Sequence, residues 1–483
     1  MRELIYEIDT DPLSLNPTFV ADYLGQIICQ AIFEPLYVRN EKNSEWMLGA
    51  AISHEISMGG RRHIFVLSSE KRWSDGMPVK AEHFVMAFRR LLSPELAAPM
   101  SSNFLPLLHA NEVVEGILPE ESLGVRAVDD QTLEIMLAYP IPFLKELLGC
   151  PAASPIRETA CLGNGPYTLA EYIKGSHIRL KANPYYPDSE NRIQTILFKI
   201  ERNLHSTAER YLKKKVDITC NTYFPFDLIK HCTGRNDLYR ELSSVLFILQ
   251  FNKDRHPLFS ERNVRRALYQ SINKKRIVKK LNYGIVDWDH FIPKGLINIS
   301  GHQWNQTSNI AYNPEYSRKL WENYQIPELS LLFPDYYPNS EIAKFIVGMW
   351  NETLGINMRM EGVSLEEFSK RLNHREFDLC LSLLTPGNAE PLGCLQYHLP
   401  DLDEQIQDQF IEYLERAMDE GETRWLWYQK ADELLCEELP SLPLFNGLSL
   451  YFCSPKIKGY KLFTDGSVSF RQLSWFSSNS NRK

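Results

Sequence analysis

Hydrophobic positions recur along the chain at two spacings. Phe84, Val85, Phe88, Leu91 and Leu92 fall at i, i+1, i+4, i+7 and i+8, which predicts a helix with one apolar face that stops before Pro94. Ile342, Phe345, Ile346 and Met349 predict another, ended at Leu354-Gly355, where glycine takes the left-handed cap. A third runs roughly from Asn263 to Leu281, and its Lys274, Lys275, Arg276, Lys279 and Lys280 read as a solvated basic face. Residues 62–67 and 132–137 carry short β-type runs, the second with Leu133, Ile135 and Leu137 on one face. Tyr167, Leu169 and Tyr172 suggest a further strand. Strands and helices alternate without a fixed repeat, so the expectation is a mixed α/β or α+β protein. Pro/Gly-rich breaks near 150–166 and 254–257 are candidate boundaries or crossings between lobes.

Composition adds size and restraint to this picture. The chain has 483 residues, 44% hydrophobic and 24% charged, which is globular usage over two or three domains. The aromatic share of 12% suits a protein that encloses something, or a bulky core. Net charge is −8, and between 401 and 438 thirteen Asp and Glu face three basic residues, leaving −10 there and +2 elsewhere. No field favours nucleic acid, so no nucleic-acid partner is expected. Ile406, Phe410, Leu414 and Ala417 lie at helical spacing in that stretch, which reads as an amphipathic helix with a solvated acidic face. No window approaches the ~18 consecutive apolar residues of a membrane span. The nine cysteines are scattered without a C-x-x-C pair and resemble small buried apolar residues.

Catalytic signatures do not emerge. The chain has no phosphate loop, no G-x-S-x-G elbow, no H-E-x-x-H and no G-x-G-x-x-G, and no two histidines stand at i, i+4. Gly163-Asn164-Gly165 leads into a strand-like pattern and not into a helix. The expectation is therefore a protein that is not an enzyme, with no catalytic residue, no metal and no cofactor.

Several motifs taken in order carry a resemblance. Ser14-Leu15-Asn16-Pro17 precedes Ile32-Phe33-Glu34-Pro35-Leu36. Ile64-Phe65-Val66-Leu67 leads to Lys71-Arg72-Trp73-Ser74-Asp75-Gly76-Met77-Pro78-Val79-Lys80-Ala81-Glu82-His83-Phe84, continued by Phe88-Arg89-Arg90-Leu91. Gly163-Asn164-Gly165-Pro166-Tyr167 and Asn183-Pro184-Tyr185-Tyr186 follow, then Phe251-Asn252 with Asn263-Val264-Arg265-Arg266-Ala267-Leu268. Trp350, Leu354-Gly355-Ile356 and Phe377-Asp378 come next, and Ile457-Lys458-Gly459-Tyr460 closes the series. From about Leu15 to Gln472 this resembles the solute-binding proteins of peptide ABC transporters, the oligopeptide- and dipeptide-binding family, and within it the oligopeptide branch.

The resemblance implies an α/β, two-lobed, periplasmic-binding-protein-like clamshell with an additional middle domain in the first lobe. Lobe I would be 1–38, 163–250 and 450–483, the middle domain 39–162 and lobe II 251–449. It implies an extracytoplasmic receptor, monomeric, possessing an oligopeptide or peptide-like ligand and ABC transporter permease subunits as partners. Trp73 is expected in the core. A backbone group of a bound peptide left unpaired would cost ~1–3 kcal/mol, so strand edges that satisfy it whatever the side chain allow tolerance of sequence. The acids within residues 1–12 leave no apolar stretch for a secretory signal, so a periplasmic or cell-envelope location, with or without a lipid anchor, implies a signal already removed.

The ligand segments implied by the resemblance fall on Ala21, Asp22, Tyr23, Asn103, Asn221, Leu365, Leu384, Thr385, Gly387, Asn388 and Phe445. Here the chain departs from its relatives. The branch places an aromatic and then an ammonium-holding Asp after Phe-Asp, whereas these positions hold Leu384 and Gly387, with no acid before Glu390. Asn103, Leu365 and Gly447 replace other pocket aromatics. Asp22 is the candidate substitute anchor, and a modified or N-blocked peptide is the alternative ligand. The competing readings are the same fold with a non-peptide solute, and a cytosolic peptide sensor or regulator.

Overall fold

Both periodicities find their surfaces in the computed structural model, which describes residues 2–157, 162–187, 192–203, 206–221, 232, 234–281, 284–300, 304, 310–322, 324, 328–336, 338–386, 390–418 and 423–476, apart from the side chains of 298–300. The chain forms two compact units, 1–241 with 450–483, and 242–449. Passage between them falls inside continuous strands. Neither Pro/Gly-rich break marks it, since 150–166 lies within the first unit and 254–257 within the second.

The first unit contains β1 (Leu4–Ile8), α1 (Tyr23–Ile32), β2 (Tyr37–Arg39), β3 (Trp46–Leu48), β4 (Ala51–Ser57), β5 (Arg62–Leu67), α2 (Ala81–Leu92), α3 (Ala110–Val114), β6 (Val125–Ala127), β7 (Thr132–Met136), α4 (Leu144–Gly149), β8 (Tyr167–Ile173), β9 (His177–Ala182), β10 (Thr195–Ile200) and α5 (Thr207–Leu212). One sheet has the order β1-β10-β9-β8 and another β4-β5-β7-β6. Alternation decides which way each strand faces: Ile196, Phe198 and Ile200 of β10 are buried and the residues between them are not. The apolar stripe predicted for α2 is buried in full, and the helix ends at Ser93, ahead of Pro94. Each of those large side chains contributes ~1.5–3 kcal/mol on burial.

The family motifs of this unit meet in one buried knot. Asn164 accepts from the Glu34 amide at 2.9 Å and donates to the Glu34 carbonyl at 2.8 Å, while the Gly165 amide donates to Ile32 at 2.8 Å. The Ser74 amide reaches the Gly163 carbonyl at 2.9 Å, and Asn183 donates to the Gly165 carbonyl at 3.0 Å. The Glu34 carboxylate accepts from Lys71 and from the Tyr186 hydroxyl. Glycine is required at 163, because a Cβ there would stand 2.2 Å from the Ile32 carbonyl oxygen. Trp73 is fully buried, and the turn after it closes through Gly76 at φ +88°.

The second unit continues from β11 (Leu238–Phe251) through α6 (Arg262–Gln270), α7 (Lys274–Leu281), β12 (Ile285–Asp287), α8 (Lys294–Ser300), α9 (Pro314–Trp321), β13 (Leu329–Pro334), α10 (Asn339–Leu354), β14 (Met358–Val363), α11 (Leu365–Asn373), β15 (Leu379–Leu384), α12 (Leu392–Gln396), α13 (Glu404–Ala417) and α14 (Arg424–Glu438) to β16 (Ser441–Phe452). Its sheet has the order β12-β16-β11-β15-β13-β14. β13 lies parallel to both β14 and β15 and is buried at every position, as an apolar run between two parallel neighbours should be. Gly355 ends α10 at φ +69°, the left-handed cap its sequence predicts.

Three expectations change here. The single helix over 263–281 is two, because Ser271 Oγ donates to the Leu268 carbonyl and Asn273 Oδ1 accepts from the Arg276 amide, which ends one helix and starts the next. Lys274 does not share the solvated face of its neighbours: its ammonium bonds Asp289, the Tyr269 hydroxyl and the Trp288 carbonyl. The acidic stretch forms α13 and α14, not one helix, and Asp432 on α14 is fully buried.

Candidate functional site

In the first unit the structure joins two of the expected site residues. The Asn221 amide donates to the Tyr23 hydroxyl, although 198 positions separate them. Tyr23 belongs to a group of tyrosines. Tyr6 and Tyr460 share a hydrogen bond at 3.0 Å, Tyr451 meets Tyr460 edge-on at 5.7 Å, and Tyr239 stacks on Tyr451 at 5.2 Å. Tyr239 and Tyr451 stand beside the points where the chain leaves and re-enters this unit. Burial holds the Tyr6, Tyr23 and Tyr460 phenols well above their ordinary pKa, so they remain neutral donors and acceptors. Neutral hydroxyls and an amide suit polar groups such as peptide bonds.

Asp22 has a local task. Its Oδ2 accepts from the Gly25 amide at 2.9 Å as the N-cap of α1, and its Oδ1 accepts from the Leu13 amide at 3.0 Å. A short polar residue just before the apolar run of α1 is the sequence signal for that cap. Ala21 precedes it and is exposed, and its carbonyl accepts from Gln26. Asn103 stands apart on the turn Ser101–Phe104, where its amide lies 3.9 Å from the Met100 sulfur.

In the second unit, Leu384 ends β15, paired with Leu246 of β11 and buried, and Thr385 after it is exposed. Leu365 is exposed at the first position of α11, whose N-cap is Ser364. Phe445 is fully buried in the core and meets Phe247 edge-on at 6.4 Å, so its ring is committed to packing. Gly447 faces Ser243, whose hydroxyl donates to the Gly447 carbonyl at 2.8 Å. Gly387 and Asn388 lie outside the described residues. Glu390, the first acid beyond the Phe377-Asp378 motif, is buried and accepts from the Tyr428 hydroxyl at 3.1 Å and from Arg424 at 3.1 Å. Asp378 is engaged too, by Ser330 and by Arg255 and His256 at 2.9 Å.

Among the described residues, one group of side chains has metal-ligating chemistry: His290, Asp432 and Cys436, all buried. Sequence reasoning missed it, since 142 positions separate His290 from Asp432 and no spacing motif links them. His290 Nδ1 donates to Asp432 Oδ2 at 2.6 Å, and Asp432 Oδ1 accepts from the Phe291 and Ile292 amides at 2.7 and 3.2 Å. Cys436 Sγ is 3.8 Å from that carboxylate and donates to the Asp289 carbonyl at 3.2 Å. The donors are bonded to one another and the Lys274 ammonium joins the neighbouring Asp289. This arrangement is a hydrogen-bonded brace between 289–292 and α14.

The family described as "bacterial extracellular solute-binding proteins, family 5 Middle" matches residues 45–402. The periplasmic murein peptide-binding protein MppA of Escherichia coli K12 is 25% identical over 501 residues, 97% of this chain and 92% of that protein. The periplasmic oligopeptide-binding protein OppA of Salmonella typhimurium is 24% identical over 82% of this chain and 78% of its own. Among solved structures, Haemophilus influenzae OppA in complex with the peptide RPPGFSPFR superposes with a TM-score of 0.78 at 22% identity, covering 98% of this chain and 99% of that one. At that identity the likeness speaks to the fold, which is the α/β periplasmic-binding-protein class expected from the sequence.

Proposed function

The chain belongs to the bacterial extracellular solute-binding proteins of family 5, and on that premise we propose that it is the receptor of an ABC importer for oligopeptides or peptide-like ligands with a modified or blocked amino terminus. Capture proceeds by lobe closure around the ligand, and the closed liganded form is the one that permease subunits distinguish from the empty receptor. It acts as a monomer in the cell envelope, with 39–162 as the additional domain. The ligand segments are 21–23, Asn103, Asn221, Leu365, Leu384, Thr385, Gly387 and Asn388, with Phe445 packed in the core and not in contact, and Asn221 with Tyr23 is the pair that bonds a ligand amide.

The observation that supports the altered terminus is the engagement of the two candidate carboxylates, Asp22 and Glu390. Asp22 already accepts two backbone amides, and Glu390 is buried against Arg424 and Tyr428. A charge-assisted bond to a free ammonium contributes ~1.5–3 kcal/mol, and neither side chain stands ready to supply it. The name of the Escherichia coli relative, a murein peptide-binding protein, agrees with a peptide-like class of ligand.

Calorimetry with matched free and N-acetylated peptides tests the reading. Binding of both forms within about tenfold of one another, or tighter binding of the acetylated form, is expected; ~1.4 kcal/mol separates these outcomes from a true ammonium anchor. A preference for the free amine beyond that margin overturns the blocked-terminus part. Absence of heat with every peptide overturns the peptide part, and mass spectrometry of the co-purified ligand then identifies the solute class.

A further inference from the structure

β4 is the edge strand of the β4-β5-β7-β6 sheet, and Ile52 and Ile56 on it are exposed. An edge strand has a ladder on one side only and needs other anchors. Here the anchor is a chain of hydrogen bonds. The Tyr37 hydroxyl on β2 lies 2.6 Å from His54 Nδ1 on β4, His54 Nε2 lies 2.9 Å from His63 Nδ1 on β5, and His63 Nε2 lies 2.9 Å from the Gly60 carbonyl in the connecting turn. The His54 ring stacks on Phe65 at 4.1 Å and 4°.

The direction of every bond in this chain follows from its last member. A carbonyl only accepts, so His63 Nε2 carries a hydrogen, and its Nδ1 is an acceptor in the neutral ring. His54 Nε2 therefore donates, His54 Nδ1 accepts, and the Tyr37 hydroxyl donates to it. This is the arrangement with both imidazoles neutral, the form that burial favours for His54. One added proton is accommodated by reversing the upper part of the chain: His63 Nδ1 donates to His54 Nε2, His54 Nδ1 donates to the Tyr37 oxygen, and the phenol hydrogen turns away. A second proton places two N–H donors face to face across 2.9 Å, and the contact breaks.

We propose that Tyr37, His54, His63 and Gly60 form an acid-sensitive latch that holds edge strand β4 against β2 and β5 and releases it when both imidazoles are protonated. Among the described residues, the ionisable groups that face His54 are Tyr37 from β2, His63 from β5 and Lys145 from α4. Burial, then His63 and Lys145, pull the His54 pKa from 6.5 to about 4. A released strand takes up its proton near 6.5, so the released state binds more protons and the latch weakens as pH falls from 6.5 towards 4. The latch lies wholly within the first unit and is independent of the identity of the ligand.

Hydrogen exchange of the whole protein, read by mass spectrometry and corrected for the intrinsic rate at each pH, compares residues 51–57 with the β8–β9 hairpin. One proton taken up on opening, near pH 6.5 in the released strand and near 4 in the latched one, should lower protection of 51–57 roughly 40-fold from pH 6.5 to 4.5 while β8–β9 keeps its own. In His54→Phe, which retains a ring on Phe65, the pH dependence should vanish. In His63→Asn, whose side-chain oxygen still accepts from His54 Nε2, β4 should stay closed at a pH where the native strand opens. A flat native profile overturns the proposal, as does a fall that persists in both variants.

Discussion

Among the carboxylates that each unit buries, Glu34 and Asp432 are stabilised differently. Glu34 in the first unit faces the Lys71 ammonium, the Tyr186 hydroxyl and, at 3.6 Å, Arg471. Asp432 in the second accepts from the backbone amides of Phe291 and Ile292 and from the His290 imidazole, whose pKa stays above 6.5 because the carboxylate outweighs burial. A charge pair is a point-to-point attraction, whereas converging dipoles require the backbone to hold one conformation. The first network therefore ties side chains from several motifs together, and the second fixes the path of one backbone segment. Removal of the acid should be felt as lost cohesion in one and as lost local geometry in the other.

The largest effect is expected at Asp432. Asp432→Ala leaves two amides and an imidazole without their acceptor in a fully buried place, a change of ~3–5 kcal/mol. Urea unfolding should record it as a lower midpoint, with early exchange confined to 289–292. A loss below ~1 kcal/mol would mean that the brace carries no stability.

The same unit holds a histidine with the opposite arrangement. His398 is fully buried, neither ring nitrogen has a hydrogen-bond partner among the described residues, and burial pulls its pKa from 6.5 to about 3. His83 of the first unit, by contrast, accepts from the Trp73 indole at 3.2 Å and from the Lys80 amide at 3.0 Å. Because His398 folds neutral and unfolds into a form protonated below pH 6.5, stability must fall as pH drops from 6.5 to 3. At pH 4.5 that one group accounts for ~2–3 kcal/mol. His398→Leu should be more stable than the native chain at pH 4.5 and should lose that part of the slope in a pH series of unfolding midpoints. An unchanged slope would place the proton uptake elsewhere.

The first network should break through its backbone approach. Gly163→Ala sets a Cβ against the Ile32 carbonyl, and overpacking of this kind costs ~1–3 kcal/mol. Thermal unfolding of the variant measures it. No change would show that the 32–34 segment can retreat from 163–165 without losing the Asn164 bonds.

These contrasts also explain what could be read from sequence. The members of the first network, though not their contacts, were singled out because they sit in quoted motifs: Glu34 in 32–36, Lys71 and Trp73 in 71–84, Asn164 and Tyr186 in the two that follow. The strand and helix periods of 62–67, 132–137 and 84–92 were visible because burial on one face imposes them. Lys274 was misread, since the charge run of α7 carries no mark that its first member turns inward to an Asp fifteen positions later. The His290 brace joins Asp432 and Cys436, four positions apart, to a histidine 142 positions earlier, and the tyrosine group is likewise assembled from distant segments, so no motif announces either. Sequence names the proposed ligand segments but not the contacts that their side chains make. Asp22 shows the difference, because the residue that looked like an anchor is also the plain N-cap of α1.

That double reading of Asp22 yields the smallest effect and the sharpest test. Asp22→Ala removes an acceptor from the Gly25 and Leu13 amides and should cost ~1 kcal/mol of stability, as the loss of an N-cap does. Asp22→Asn keeps a capping oxygen without the charge and should restore most of it. Neither variant should alter the ratio of affinities for free and N-acetylated peptide, because a carboxylate spent on two backbone amides has little left for a ligand ammonium. If the ratio shifts more than tenfold in Asp22→Asn while the unfolding midpoint stays, the charge is being read by the ligand and the cap is incidental.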